Sequence, residues 1–216
     1  MRVTDQILNQ TARKAGVPVS FALSDYLSSK SKNSLNGLEK NQEANLAKKN
    51  HYEKLEKTAE ELAKSAQIFL AEGADSIFAK AKESGSNEEI YKHLDQWMEN
   101  YNSTLKSLKN TASPLNNYYR QMLQDAASEN SEALKNAGIT IGKDGTLSVD
   151  KEKLHKTDRE SLESLFGASG TFSKRVSYLG ERVADNARAN AKSYSNQYNA
   201  QGNDYSAFFN KYDFWG

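Results

Sequence analysis

The chain has no cysteine, only two prolines among its 216 residues, no long apolar run and no excess of either charge. Without cysteine there can be no disulfide, thiolate metal site or cysteine nucleophile, and this absence leaves the compartment open. The 29 basic and 28 acidic residues nearly cancel. That balance removes the electrostatic attraction on which binding to phosphate backbones and anionic membranes depends, so nucleic acid is not an expected partner. No segment approaches the roughly 18 apolar residues of a membrane span, and membrane insertion is not expected. The opening Met1-Arg2-Val3-Thr4-Asp5 has no apolar core of the kind a cleaved secretory signal needs. The expected location is therefore either the cytoplasm or a site reached by an export route that reads no cleaved signal.

A hydrophobic fraction of 37% with a mean hydropathy of −0.82 is low for a compact globule, whereas 10% aromatics is high for a disordered chain. Long helices with a narrow apolar stripe reconcile the two. The two prolines, Pro18 and Pro114, leave the intervening sequence free to run as helix. Residues 1–36 read as a flexible arm with a short helix around Phe21 to Leu27, ending in the polar stretch Ser28 to Ser34. Residues 37–200 read as a helical bundle, and residues 201–216 as an aromatic tail.

Within the bundle, a four-three spacing picks out Leu38, Asn41, Asn45, Lys48, Tyr52, Leu55, Ala59, Leu62, Ala66 and Phe69. This heptad seam is polar in its first half and apolar from Tyr52 onward, with Gly73 as its expected cap. The first half should be solvated or paired with a partner chain. Ser86-Asn87-Glu88-Glu89 then marks a helix start, and Ile90, Leu94, Trp97, Tyr101, Leu105 and Leu108 form its stripe. Asn110 to Pro114 breaks that helix. A third stripe, Leu115, Tyr119, Met122, Ala126, Ala133 and Ala137, is interrupted weakly at Ser128 to Ser131. A fourth helix, from near Thr171, carries Phe172, Val176, Leu179, Val183, Ala187 and Tyr194. The fold class expected is mainly α: an elongated bundle or coiled coil of about four long helices, crossing at about 20°.

Between the third and fourth helices the apolar period switches to two. Ile139-Thr140-Ile141 and Thr146-Leu147-Ser148-Val149 flank Gly142-Lys143-Asp144-Gly145, and an Asp-Gly pair between alternating runs signals a β-hairpin. Ile139, Ile141, Leu147 and Val149 should share one face, which needs cover because an isolated hairpin is marginal in water. Asp150 should cap a short turn containing Leu154, and Asp158 a second containing Leu162, Leu165 and Phe166.

Catalytic signals are missing. His51, His93 and His155 lie in different elements without a second ligand at helical spacing, and Asp75, Asp95, Asp125 and Asp144 are scattered. No Gly-x-Ser-x-Gly elbow or phosphate-cradling glycine loop occurs. No catalytic, metal-binding or cofactor-binding residue is expected, and the chain does not read as an enzyme. Trp97, Tyr101, Tyr118 and Tyr119 could form a stacking platform, but all except Tyr118 fall on the stripe of a helix, which favours a place in the core.

Tyr101-Asn102-Ser103-Thr104-Leu105, then Ala137-Gly138-Ile139-Thr140, Asp144-Gly145-Thr146-Leu147, Asp150-Lys151-Glu152-Lys153-Leu154 and finally Leu165-Phe166-Gly167 come one after another in a set order. This order resembles the C-terminal region of the flagellar filament-capping family, hook-associated protein 2, over roughly residues 97 to 190. The opening Met1-Arg2-Val3-Thr4 is similar to the start of hook–filament junction proteins. The resemblance implies a protein that leaves the cell unfolded through the flagellar channel, without a cleaved signal, and assembles extracellularly through helical terminal regions. Its partners would be further copies of itself or other flagellar axial proteins.

Candidate interaction residues are the apolar seam at Tyr52, Leu55, Leu62 and Phe69, and the tail residues Tyr205, Phe208, Phe209, Tyr212, Phe214 and Trp215. With Tyr194 and Tyr198, these give eight aromatics in the last 23 residues. Such a cluster either folds back or docks on a partner. A second reading, from another class, is a cytosolic helical adaptor or flagellar export chaperone that holds a partner's amphipathic segment in a groove.

Overall fold

The computed structural model describes residues 23–196 of the chain. Two compact units divide at Ala47 and Lys48. In the first, every described residue belongs to the opening helix. That helix, α1, spans Leu23–Leu70 and continues into the second unit. The polar stretch Ser28 to Ser34, expected in a flexible arm, is helical backbone within it. Serine, lysine and asparagine cost a helix only a few tenths of a kcal/mol each, and no proline interrupts the run from Leu23 to Leu70. Residues 1–22 lie outside the described part.

In the second unit, α1 ends at Leu70, ahead of the expected cap at Gly73, which instead opens a 3₁₀ turn, Gly73–Asp75. Seven further helices and one hairpin complete the described chain: α2 Ile77–Ser84, α3 Glu88–Asn110, α4 Pro114–Glu129, α5 Ser131–Asn136, β1 Ile139–Ile141, β2 Leu147–Val149, α6 Lys151–Lys156, α7 Arg159–Phe166 and α8 Phe172–Asn196. The four long helices are α1, α3, α4 and α8. The short α2, not anticipated from sequence, packs on α3 and buries Ile77, Phe78 and Ala81.

Local chemistry sets the boundaries. Ser113 precedes Pro114 at the first turn of α4 and its hydroxyl accepts a bond from Asn116 N, an arrangement that suits a residue without an N–H. Asn130 ends α4 by donating its backbone N–H to Ala127 O, so the expected single third helix is two helices. The expected stripe of that helix is also shifted. Leu115 and Ala133 are exposed, and the buried face is Asn116, Leu123, Ala126 and Ala127. Its phase is displaced by a buried asparagine: Asn116 donates to Thr111 O and accepts from Asn186 Nδ2 of α8 at 3.1 Å.

The core gathers the seam of α1 from Tyr52 to Phe69, the full expected stripe of α3, and Phe172, Val176, Leu179, Val183 and Ala187 of α8. Trp97 lies at its centre, stacked on Tyr101 at 5.7 Å and edge-on to Phe166 and Phe172 at 5.4 and 5.3 Å. Such edge-to-face pairs are the preferred geometry of aromatic quadrupoles. Phe69 joins the cluster against Phe78 and Phe166. Two side chains of α3 also hydrogen-bond to backbone carbonyls of α1. Asn100 Nδ2 donates to Glu61 O at 3.1 Å, and Thr104 Oγ1 to Thr58 O at 2.9 Å. On its other side α1 meets α8 at Gly180, where a Cβ would lie 3.1 Å from Ala59 O. Small residues on both helices permit that approach.

Candidate assembly surfaces

The segment from Tyr101 to Phe166 is held together by a junction built from adjacent residues of α3. Tyr101 is fully buried, and its hydroxyl donates to Leu123 O of α4 at 2.9 Å. Burial pushes its phenol well above the usual tyrosine range. The next residue, Asn102, turns toward the hairpin. Its Nδ2 donates to Leu147 O at 2.8 Å and its Oδ1 accepts from Leu147 N at 2.8 Å.

The register explains why an asparagine is needed. Strands β1 and β2 pair antiparallel as Ile139↔Val149, Thr140↔Ser148 and Ile141↔Leu147. Gly142 N donates to Thr146 O and Asp150 N to Gly138 O. By the alternation of antiparallel ladders, Ile141 and Leu147 form a non-hydrogen-bonded pair. The backbone groups of Leu147 therefore face away from β1, and the Asn102 amide supplies the donor and acceptor that a third strand would offer. Ile139 and Leu147 are buried beneath, Ile141 and Val149 partly so, as the expected common face requires.

The ends of the hairpin are fastened by backbone constraint and caps. Gly138 has φ +79°, and a Cβ there would stand 2.7 Å from Lys153 Cβ and 2.9 Å from Asp150 O. Only glycine fits both the conformation and the space. Asp150 caps α6 by accepting from Lys153 N at 3.2 Å. Asp158 caps α7, accepting from Ser161 N at 2.7 Å and Ser161 Oγ at 2.8 Å. Hydrogen bonds from Ser161 hold the Asp158 carboxyl below its usual range, and those from Thr146 do the same for Asp144 in the turn. Leu165 and Phe166 then enter the core.

Two further surfaces lie on the long helices. Along α1 and α8, Arg188 pairs with Glu56 at 2.7 Å, with Glu60, and with Asp185 at 3.1 Å, while Gln67 Nε2 donates to Glu181 Oε1 at 2.8 Å. This edge is charged and internally matched. On α4, Leu115 and Tyr118 are 44% and 57% exposed, and Tyr119 and Met122 beside them lean on the core.

Of the candidate interaction residues, Tyr52, Leu55, Leu62 and Phe69 come together, but inside the chain's own core, each at 9% exposure or less. The apolar half of the seam is therefore already occupied within the chain: Tyr194 of α8 stacks on Tyr52, and Phe78 of α2 and Phe166 of α7 pack on Phe69. Tyr52 stacks on Tyr194 at 5.8 Å, with Lys48 Nζ 5.8 Å from the Tyr194 ring. Tyr205, Phe208, Phe209, Tyr212, Phe214 and Trp215 lie outside the described residues. Trp97 and Tyr101 are core, as their spacing implied, whereas Tyr118 is exposed. His155 stacks on Tyr91 at 4.4 Å. Among the described residues there is no cluster of three or more His, Cys, Asp or Glu that could hold a metal ion, and no helix long and apolar enough to cross a membrane. The Asn102 clamp has no periodic signal in the sequence, and the stripe containing Leu115, Tyr119 and Met122 does not reveal that Leu115 faces solvent. The adjacency of Asn102 to the core residue Tyr101 was the available clue to the clamp.

Residues 108–213 match the family model described as Flagellar hook-associated protein 2 C-terminus. Comparison with curated proteins and with solved structures returns no match.

Proposed function

Because this chain belongs, through residues 108–213, to the family of the flagellar hook-associated protein 2 C-terminus, we propose that it is an extracellular axial component of the flagellum that works by helix–helix association. The family is one of structural, filament-capping proteins, and the flagellum is the location it implies. Reaching that location would use the flagellar export channel, without a cleaved signal.

The observation that carries the association is the division of α1. From Tyr52 onward its seam is consumed by the core. Before Tyr52 the same heptad positions are Leu38, Asn41, Asn45 and Lys48, three of them polar, and Leu46 is 57% exposed. A helix that keeps heptad order with polar seam residues suits a reversible, register-selective contact with another helix better than a permanent core. The first half of α1, with the aromatic tail, is therefore the surface assigned to copies of this chain or to other axial proteins.

Sedimentation of the purified full chain, from low to high micromolar concentration, tests this reading. Concentration-dependent oligomers that dissociate when Asn41, Asn45 and Leu46 are changed together to Glu are expected. A chain that stays strictly monomeric alone, yet forms a stable one-to-one complex with a single cytoplasmic protein, would overturn it in favour of an adaptor or export chaperone.

A further inference from the structure

Helix α3 carries a polar line beside its buried stripe. Glu99, Asn102, Ser103, Lys106 and Lys109 lie at helical spacing on the side that meets the hairpin, where Asn102 bonds Leu147. That line, Arg120 of α4, and Asp144 and Thr146 of the hairpin turn enclose a cavity of about 470 Å³. The volume is that of an ordinary ligand pocket. Its wall holds three cations, Lys106, Lys109 and Arg120, and two carboxylates, Glu99 and Asp144.

The carboxylates are placed so that they leave two of the cations without a countercharge. Asp144 Oδ1 accepts from Thr146 N at 3.2 Å and from Thr146 Oγ1 at 2.6 Å. After those hydrogen bonds, the field of Lys109 also helps to hold that carboxyl low, so Lys109 and Asp144 offset one another. Glu99 lies two turns before Lys106, about 10 Å along the axis of α3. Lys106 and Arg120 make no hydrogen bond or ion pair with any described residue. Arg120 Nε is in addition shielded from solvent, so part of this guanidinium has lost water without gaining an acceptor. A charged group in that condition is relieved by a carboxylate brought against it, and the planar guanidinium suits a carboxylate better than any other anion of one charge.

The surroundings select among anions. One positive charge in excess matches a single carboxylate, whereas a phosphate dianion would be repelled by Glu99 and Asp144. No glycine loop or helix N-terminus is among the lining residues to offer a phosphate its backbone N–H groups. Leu105, also on the wall, gives the methylenes of an acidic side chain an apolar surface.

We propose that this groove between α3, α4 and the hairpin turn receives the carboxylate of a glutamate or aspartate on a segment of another protein chain. Arg120 is its principal partner and Lys106 the second cation. The groove belongs to this chain alone, so the inference does not rest on the flagellar reading.

Nuclear magnetic resonance on the full chain tests it, with capped tetraglutamate and tetraglutamine peptides and inorganic phosphate as probes. The Arg120 Nε–H and the backbone amides of Ser103 and Thr146, all from residues of the wall, should shift saturably with tetraglutamate and stay in place with tetraglutamine. Phosphate should bind several-fold more weakly than tetraglutamate. Arg120→Gln, followed by the two amides, should weaken the peptide about tenfold or more, as the loss of a charge-assisted hydrogen bond does. Lys106 is exposed, so Lys106→Gln leaves the fold intact and should weaken binding about threefold. Lys80→Gln, at an exposed position of α2, should change nothing. No saturable shift, an equal response to tetraglutamine, unchanged affinity in Arg120→Gln or Lys106→Gln, or equal weakening by Lys80→Gln overturns the proposal. Phosphate binding as tightly as the peptide overturns it in favour of a site for a free oxyanion.

Discussion

Replacing Asn102 by alanine removes one side chain and leaves two backbone groups of Leu147 without partners. The side chain is partly buried, Leu147 is 4% exposed, and both bonds are 2.8 Å long. An unsatisfied buried backbone group costs about 1–3 kcal/mol, and partial access of water at this site places the pair toward the lower half of the combined range, about 2–4 kcal/mol. For a unit of this size each kcal/mol moves the melting temperature by about 2–4 °C, so a fall of about 5–15 °C is expected. Urea unfolding should show a lower midpoint with an unchanged slope, because the surface exposed on unfolding is the same. Asn102→Asp keeps the acceptor and loses the donor, and should fall between the two. Hydrogen exchange gives a local reading: the Leu147 amide should lose protection while the paired amide of Gly142 keeps most of its own. A loss below about 0.5 kcal/mol, within the range of an ordinary surface substitution, would refute the claim that this amide stands in for a third strand.

Other substitutions test other parts of the fold. Leu62→Ala, at a fully buried seam position, should cost about 2–5 kcal/mol by chemical unfolding; a near-neutral result would mean the seam is not the chain's own core. Gly138→Ala should destabilise by about 2 kcal/mol or more, since it adds a left-handed penalty to a clash with the start of α6, and thermal melting that matches the parent would contradict this. The turn and cap carboxylates make an acid prediction. The folded carboxyls of Asp144 and Asp158 sit below their unfolded values, so their contribution is complete above the ordinary carboxyl range and is lost as pH falls through the folded values. Stability followed by circular dichroism should drop below about pH 4, and Asp144→Asn/Asp158→Asn should flatten that part of the profile. An unchanged slope in the double variant would refute it.

How much of this was legible in the sequence depended on how local the cause was. The hairpin was readable in detail because Asp144-Gly145 and the alternation of Ile139, Ile141, Leu147 and Val149 act over a few residues. The caps at Asp150 and Asp158 were readable for the same reason, and so was the stripe of α3, whose six positions are all buried. The phase of α4 was not, because Asn116 is buried through a bond to Asn186, a residue 70 positions away, and polarity alone assigns such a residue to solvent. The polar contact of Asn100 and Thr104 with carbonyls of α1 was hidden in the same way. Helix α2 is too short for its period to register. The apolar half of the seam reads from sequence as an interaction surface, but in the fold it is buried in the chain's own core, and the spacing of Tyr52, Leu55, Leu62 and Phe69 alone does not distinguish a partner within the chain from one outside it. Asn102 combines both cases: its neighbour Tyr101 was visible as core, while its partner strand lies 45 residues ahead.

The central claim is that the chain is an axial part of the flagellum. Shearing filaments from cells that make it, separating cytoplasm, medium and filament fractions, and probing each with an antibody to the chain addresses that claim directly. The chain should be enriched in the filament and extracellular fractions, at its full length, and should be lost from them when flagellar export is blocked. Retention in the cytoplasm while filaments are being exported would contradict it.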